Sequence, residues 1–467
     1  MTTTQVMTQG TAVAATSGTI AITDPRDGTA VGAIETTAPA LLPDLVSRSR
    51  TAFRSWARVS PAERGSLLKD AAHRVAAREE ELARLNERET GKLYADALGG
   101  VRAGVDTLLQ YAELGPLHRG RSLRGGHTAL DYATPEPRGV VAAITPWNDP
   151  VAVAAGILGA AIVSGNTVIS KASEKCPHVG LLFAEIVAEA LPDDVLIPVS
   201  GDGELGAALA ASTGVDVIAH VGSTRAGESI ARAAAATGAH VIRENGGNDA
   251  LIIDADVDPE WAAQQAALGS FANAGQICTS VERIFVHADI AEAFTSALVA
   301  EAERYTREGL LGPLVDEGQR TAVHTAVCSS VEDGAVVACG GIIPEGPGCH
   351  YPATVLTECR PQMAVMREET FGPIAPVQVV ASFEEGIARA SDDRYGLAAS
   401  VLTRSLEHAQ HAAAELPVGT VKVNNVFGGA PGGSAQPRGA SGAGFGYGPE
   451  LLDEMTTVKV VHMGTAR

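Results

Sequence analysis

From residue 139 onward the chain alternates between short β-branched runs and helical stretches, a pattern that restricts it to parallel sheets covered by helices on both faces. Segments 140–145, 167–170, 195–199, 215–221 and 240–243 read as strands, with helical segments such as 179–190 and 228–236 between them. A second alternation runs through 249–425, where 251–253, 283–286, 336–338, 377–380 and 420–423 have the same strand character. The fold class is α/β with a second α/β unit, within the two or three packed units expected for 467 residues. Ligands of such sheets bind beyond the carboxyl ends of strands, so the turns that follow each strand are the places to look for chemistry.

The N-terminal part reads differently. Residues 1–17 are small and polar with no period, which suggests a loose arm. Ser60-Pro61-Ala62-Glu63 places a capping Ser before a first-turn Pro, and Leu67, Leu68, Ala71, Ala72, Val75 and Ala76 follow at helical spacing. The charged stretch 78–88 reads as a solvated helix face. Lys and Arg total 35 against 55 Asp and Glu, a net charge of −20 that disfavours nucleic acid and anionic membrane surfaces as partners. The apolar run 151–163 is too short to span a bilayer comfortably and fits a buried helix. No secretory leader is evident, so the expectation is a soluble cytoplasmic protein with reduced thiols. Its six cysteines show no disulfide framework and no metal-ligand spacing, which leaves one of them free to be a nucleophile.

Four strand-following turns carry reactive or ligand-binding residue types. Thr145-Pro146-Trp147-Asn148-Asp149-Pro150 fixes an amide side chain between two prolines, where it could donate to an oxyanion. Ser170-Lys171-Ala172-Ser173-Glu174 offers a cation and a carboxylate to the hydroxyls of a ribose. Gly222-Ser223-Thr224-Arg225-Ala226-Gly227 lets the backbone approach a pyrophosphate at a helix N-terminus, although it lacks the G-x-G-x-x-G fingerprint. Glu244-Asn245-Gly246-Gly247 sets a carboxylate at a strand end, and Cys278 follows in Gly275-Gln276-Ile277-Cys278-Thr279. Taken singly, each of these reads more simply as an ordinary turn or a buried thiol.

In this order the motifs resemble the aldehyde dehydrogenase superfamily, and the resemblance covers nearly the whole chain. Glu89-Thr90-Gly91-Lys92, Glu368-Glu369-Thr370-Phe371-Gly372-Pro373, Gly419-Thr420-Val421-Lys422-Val423-Asn424 and Ser441-Gly442-Ala443-Gly444 also fit that family's patterns, and the interval from Glu244 to Cys278 has its length. The resemblance implies oxidation of an aldehyde to the acid with NAD as cofactor and NADP as the alternative. Cys278 would be the nucleophile, Asn148 the oxyanion donor and Glu244 the base that activates the hydrolytic water. Thr145, Pro146, Trp147, Lys171, Ser173, Glu174, Gly222, Ser223, Gly227, Glu369 and Phe371 would hold the cofactor, and Asp149, Ile277 and Thr279 would line the substrate pocket; no metal is implied. It further implies a Rossmann-like NAD-binding domain from 1–116 and 138–245, an α/β catalytic domain from 246–448, and a small β oligomerisation element from 117–137 and 449–467. A homodimer or homotetramer with a small-molecule aldehyde as partner follows from that element.

The chain departs from the family's motifs at three positions of interest. Ala172 replaces a Pro, Asn245 replaces a Leu and either re-aims Glu244 or, as the favoured reading, binds a neighbouring backbone group, and Asp149 stands where an aromatic residue is common. Asp149 has two readings: it lines the aldehyde path, or it caps the following helix. A CoA-acylating enzyme is disfavoured by Glu244, and a silent scaffold by the joint presence of Cys278, Glu244, Asn148, Lys171 and Glu369. The aldehyde itself and the role of 428–440, within a segment where nine of 21 residues (428–448) are Gly, are not specified by the sequence.

Overall fold

The structure, a computed structural model, describes residues 16–429 and 433–466. The expected arm therefore falls outside the described residues up to residue 15, as do residues 430–432 of the glycine-rich segment. Two helix-covered sheets dominate. In the first, Val140–Ile144, Thr167–Lys171, Leu196–Val199, Val217–Val221 and His240–Glu244 are all parallel, and the two-residue strand Gly442–Ala443 closes one edge antiparallel to His240–Glu244. Residues 441–446 thus run beside the first sheet rather than the second. From Val140–Ile144 the chain builds outward through Thr167–Lys171 to Leu196–Val199, then returns to the other side for Val217–Val221, which creates a switch point at the carboxyl edge.

Val140–Ile144, Thr167–Lys171, Leu196–Val199 and Val217–Val221 are buried on both faces, while His240–Glu244 toward the edge is mostly half-buried. Val141 and Ala143 enter one apolar cluster and Val140 and Ala142 another, as the two-residue period of a strand requires. The apolar run at 151–163 forms the helix Pro150–Val163, nearly all of it buried. It packs closely against the helix Tyr94–Leu117, because a side chain at Gly104 would meet Val151 and one at Gly115 would meet Val163. The capping signal at Ser60 is realised, with its side chain accepting from the Glu63 N–H and the helix Pro61–Ala76 following. A separate helix, Glu79–Thr90, carries the charged face.

The second sheet has the order Val336–Cys339, Thr354–Thr357, Ile374–Val380, Val281–His287, Asp249–Ile253, Ala398–Leu402, Thr420–Val423. All neighbours are parallel except the first pair. Only the residues 245–248 separate His240–Glu244 of the first sheet from Asp249–Ile253 of the second. The carboxyl edge of one sheet therefore meets the amino edge of the other. A third sheet, antiparallel, joins Thr456–Met463 to Leu130–Pro137 and Arg121–Leu123. No described helix is long and apolar enough to cross a membrane.

The Glu89 of the Glu-Thr-Gly-Lys motif has a structural task. It is 1% exposed and accepts from the His178 and Val179 N–H groups at 3.0 and 2.8 Å, which caps the helix Pro177–Ala188 from a different element. Glu89→Ala is expected to cost about 2 kcal/mol by leaving those donors unpaired. Chemical denaturation checks this; unchanged stability would refute the capping role.

Candidate active site

The turns singled out by the sequence converge where the two sheets abut. Thr145–Asp149, Lys171–Glu174 and Gly222–Ser223 all leave the carboxyl edge of the first sheet, and Glu244 ends its last parallel strand. The loops 275–280 and 368–373 lead into Val281–His287 and Ile374–Val380 at the amino edge of the second sheet.

Cys278 follows a helix, Pro259–Phe271, and a tight turn in which Asn273, Ala274 and Gly275 have φ values of 50°, 55° and 72°. Such consecutive left-handed residues persist only where the surroundings hold them. Gln276 does so. Its side chain is buried, accepts from the Val315 N–H at 2.9 Å and donates to the carbonyls of Asn273 and Pro313. The Gln276 carbonyl in turn accepts from the Asn148 amide at 3.1 Å, which brings that amide to the loop that carries Cys278. Cys278 keeps an accessible face, with Ile277 and Thr279 beside it also partly exposed.

Acidic groups surround this thiol. The Glu244 carboxylate accepts from the Gly446 N–H at 3.0 Å, and burial raises its pKa to about 8. Glu369 accepts from the Gly247 N–H at 3.1 Å and lies so flat over Gly246 that a side chain there would overlap it. Burial and then the neighbouring Glu282 push Glu369 to about 8. Burial raises Asp249 to about 8 as well. The Cys278 thiol is pushed up to about 12, first by burial and then by Asp249, Glu244 and Glu369. The Lys422 ammonium acts in the opposite direction, but in this crowd each further negative charge is poorly solvated, so a thiolate forms only if a proton acceptor is supplied.

The cofactor-side residues fit a dinucleotide. Lys171 and Glu174 pair at 3.0 Å, with the lysine buried and the carboxylate 41% exposed, so the carboxylate can reach the hydroxyls of a ribose. A Cβ at Gly222 would come within 2.8 Å of the buried His220, so only glycine leaves that turn its course. Ser223 caps the helix Thr224–Thr237 by accepting from the Ala226 N–H, which leaves first-turn N–H groups for an anion. Gly227, in the same first turn, gives way to the Asn245 amide, whose nitrogen donates to the Ala440 carbonyl at 2.9 Å as expected. Thr145, Pro146 and Ser173 are buried in the same turns, and Trp147 meets Phe371 edge to face with ring centroids 5.5 Å apart.

Asp149 overturns the capping alternative. It occupies the cap position of Pro150–Val163, but its side chain makes no cap hydrogen bond. Its Oδ1 instead lies 3.5 Å from the buried Lys92 ammonium, in space that a Cβ at Gly100 would fill. Residues that spacing did not single out are Gln276, Glu282 and Gln319, which act through hydrogen bonds to distant backbone.

The sequence pattern described as the aldehyde dehydrogenase family matches residues 12–461. A betaine aldehyde dehydrogenase of Cereibacter sphaeroides is 34% identical over 465 residues, covering 96% of this chain and 94% of that protein. The crystal structure of an NAD-dependent aldehyde dehydrogenase from Sinorhizobium meliloti superposes with a TM-score of 0.95 at 32% identity, covering 100% of this chain and 95% of that one. An NAD+ complex of an aldehyde dehydrogenase from Bacillus cereus superposes at 0.93 with 32% identity, covering 96% and 94% of the two chains.

The Lys92–Asp149 pair has a measurable consequence. Lys92→Met is expected to lower stability by about 2 kcal/mol, since it leaves a carboxylate oxygen buried without a partner, and Asp149→Asn in that background should restore part of the loss. Denaturation of the single and double variants checks this; strictly additive losses would refute the pairing. By its sequence pattern, its relatives and its fold, the chain belongs to the aldehyde dehydrogenase family.

Proposed function

We propose that the chain oxidises an aldehyde to its carboxylic acid through a covalent intermediate on Cys278, with NAD as cofactor. The observation that carries this reading is the convergence of the partly accessible Cys278, the Asn148 amide and the Glu244 carboxyl where two sheet edges meet. The cofactor, when bound, supplies the hydride acceptor and a positive ring.

The remaining steps belong to the protein. The Cys278 thiol loses its proton to solvent, which reaches its accessible face, as its sulfur bonds to the aldehyde carbon, leaving an oxyanion on a thiohemiacetal. Asn148 and the Cys278 N–H donate to that oxyanion. Loss of hydride from the same carbon leaves a thioester on Cys278. Glu244 removes a proton from water, which adds to the thioester, and the thiol departs as the acid is released. Glu369 and Phe371 hold the reacting end of the cofactor site, while Lys171, Ser173 and Glu174 hold its adenosine ribose. The Glu174 carboxylate would repel a 2′-phosphate, which favours NAD over NADP.

A homodimer or dimer of dimers forms through the strand Thr456–Met463, whose Val458 and Val460 are 65% and 64% exposed. Light scattering of the purified chain tests this, and a monomer at all concentrations would refute it.

Because Glu244 is raised to about 8, it is mostly protonated at neutral pH and a poor base. Under conditions where thioester hydrolysis limits turnover, kcat should rise about tenfold per pH unit at acidic and neutral pH and level off above about pH 8. Glu244→Gln should abolish that limb. A limb that persists in the variant would assign the base elsewhere. Glu174→Gln should narrow the gap between NAD and NADP in kcat/KM by about tenfold. Equal use of the two by the parent protein would refute the role of Glu174.

A further inference from the structure

We propose that Glu282 and Gln319 are positioning residues that clamp Thr370 and Phe371, and thereby set Phe371 and Glu369 against the reacting end of the cofactor site. The inference rests on the reading that Glu369 and Phe371 meet the nicotinamide end of the cofactor.

Phe371 sits at φ 50°, a left-handed conformation that is strained for an aromatic residue and must be held from outside. Four main-chain groups are available to hold it, and side chains of two other elements take all four. Glu282, 3% exposed on the strand Val281–His287, accepts from the Thr370 N–H at 3.1 Å and the Phe371 N–H at 3.0 Å, and also from the Thr370 hydroxyl. Gln319, on the helix Glu317–Glu332, donates its amide to the carbonyls of Thr370 and Phe371 at 3.1 and 3.0 Å.

The clamp continues into the first sheet's side of the site. Asp316 caps the Gln319 helix by accepting from the Gln319 N–H at 2.7 Å, and its other oxygen pairs with Lys175 at 2.7 Å. The Lys175 ammonium lies 5.3 Å from the centre of the Trp147 ring, and Trp147 meets Phe371. The circuit Phe371, Gln319, Asp316, Lys175, Trp147 is therefore closed across the two sheets. The clamped turn also touches the nucleophile loop, since a Cβ at Gly275 would strike the Gly372 carbonyl. Glu369, one residue before the clamp, reaches the linker at Gly247. A fully buried carboxylate is a costly way to fix a loop for stability alone, whereas precise placement of two side chains at a reacting centre warrants it.

The test compares Glu282→Gln and Gln319→Leu with Glu369→Gln and Phe371→Ala in the full-length protein. Readouts are kcat, the deuterium isotope effect on kcat with a 1-deuterated aldehyde, the Kd for NAD, and the rate at which iodoacetamide alkylates Cys278. The clamp variants should lose about 10- to 100-fold in kcat and gain an isotope effect, because hydride transfer becomes limiting when the ring is misplaced. Their Kd for NAD and their alkylation rate should stay within about threefold of the parent. If Glu369→Gln and Phe371→Ala leave hydride transfer untouched, the underlying reading fails. If those two slow it while Glu282→Gln and Gln319→Leu do not, the clamp is overturned. Equal losses in kcat and alkylation would also overturn it, since they would mark general damage to the site.

Discussion

Four residues, 245–248, connect the last parallel strand of one sheet to the first strand of the next, and the site depends on that short connection. It brings the carboxyl edge of the first sheet against the amino edge of the second, so a carboxyl at one strand end and a thiol before another strand share one volume. The connection is itself tied down. Asn248 donates to Asp393 and its carbonyl accepts from Arg283, whose guanidinium also pairs with Asp393 at 2.9 Å. Arg283 and Glu282 are neighbours on one strand, pointing to opposite faces, so two adjacent residues anchor two different loops of the site.

The electrostatics follow from the same crowding. Glu244, Glu369, Asp249 and Glu282 are each raised by burial, to about 8, 8, 8 and 7, and the thiol beside the first three is raised to about 12. Carboxyls with folded pKa values above their usual range hold extra protons in the native state. Their contribution to stability is therefore full below the ordinary carboxylate range and declines as pH rises toward about 8. The acids of the site are thus largely protonated at rest, and in the proposed reaction the base shares that state as a consequence of the same crowding.

Much of this was legible in the residues. The five parallel strands of the first sheet were visible as β-branched runs, four of them buried on both faces, while the two-residue edge strand Gly442–Ala443 was not. The strands Thr354–Thr357 and Ala398–Leu402 were not, the first for its brevity and the second for its Ala-Ala-Ser start. The helix Tyr94–Leu117 was hidden by Gly99, Gly100, Gly104, Gly115 and Pro116, which obscure a helical pattern while allowing close packing. Asp149 carries a local signature for a cap, but a lysine 57 positions away in the chain takes its oxygen instead. Gln276, Glu282 and Gln319 have no local signature, because partners such as Val315, Thr370 and Phe371 are brought near only by the folded chain.

The central claim is that carbon from the aldehyde becomes bound to the sulfur of Cys278 and is released by Glu244. Rapid acid quench of Glu244→Gln protein during turnover with aldehyde and NAD, followed by peptide mass spectrometry, addresses it most directly. The account predicts an acyl mass on the peptide containing Cys278, accumulating well above its level in the parent protein. An unmodified Cys278 peptide while NADH is being formed, or an acyl group on another cysteine, would contradict it.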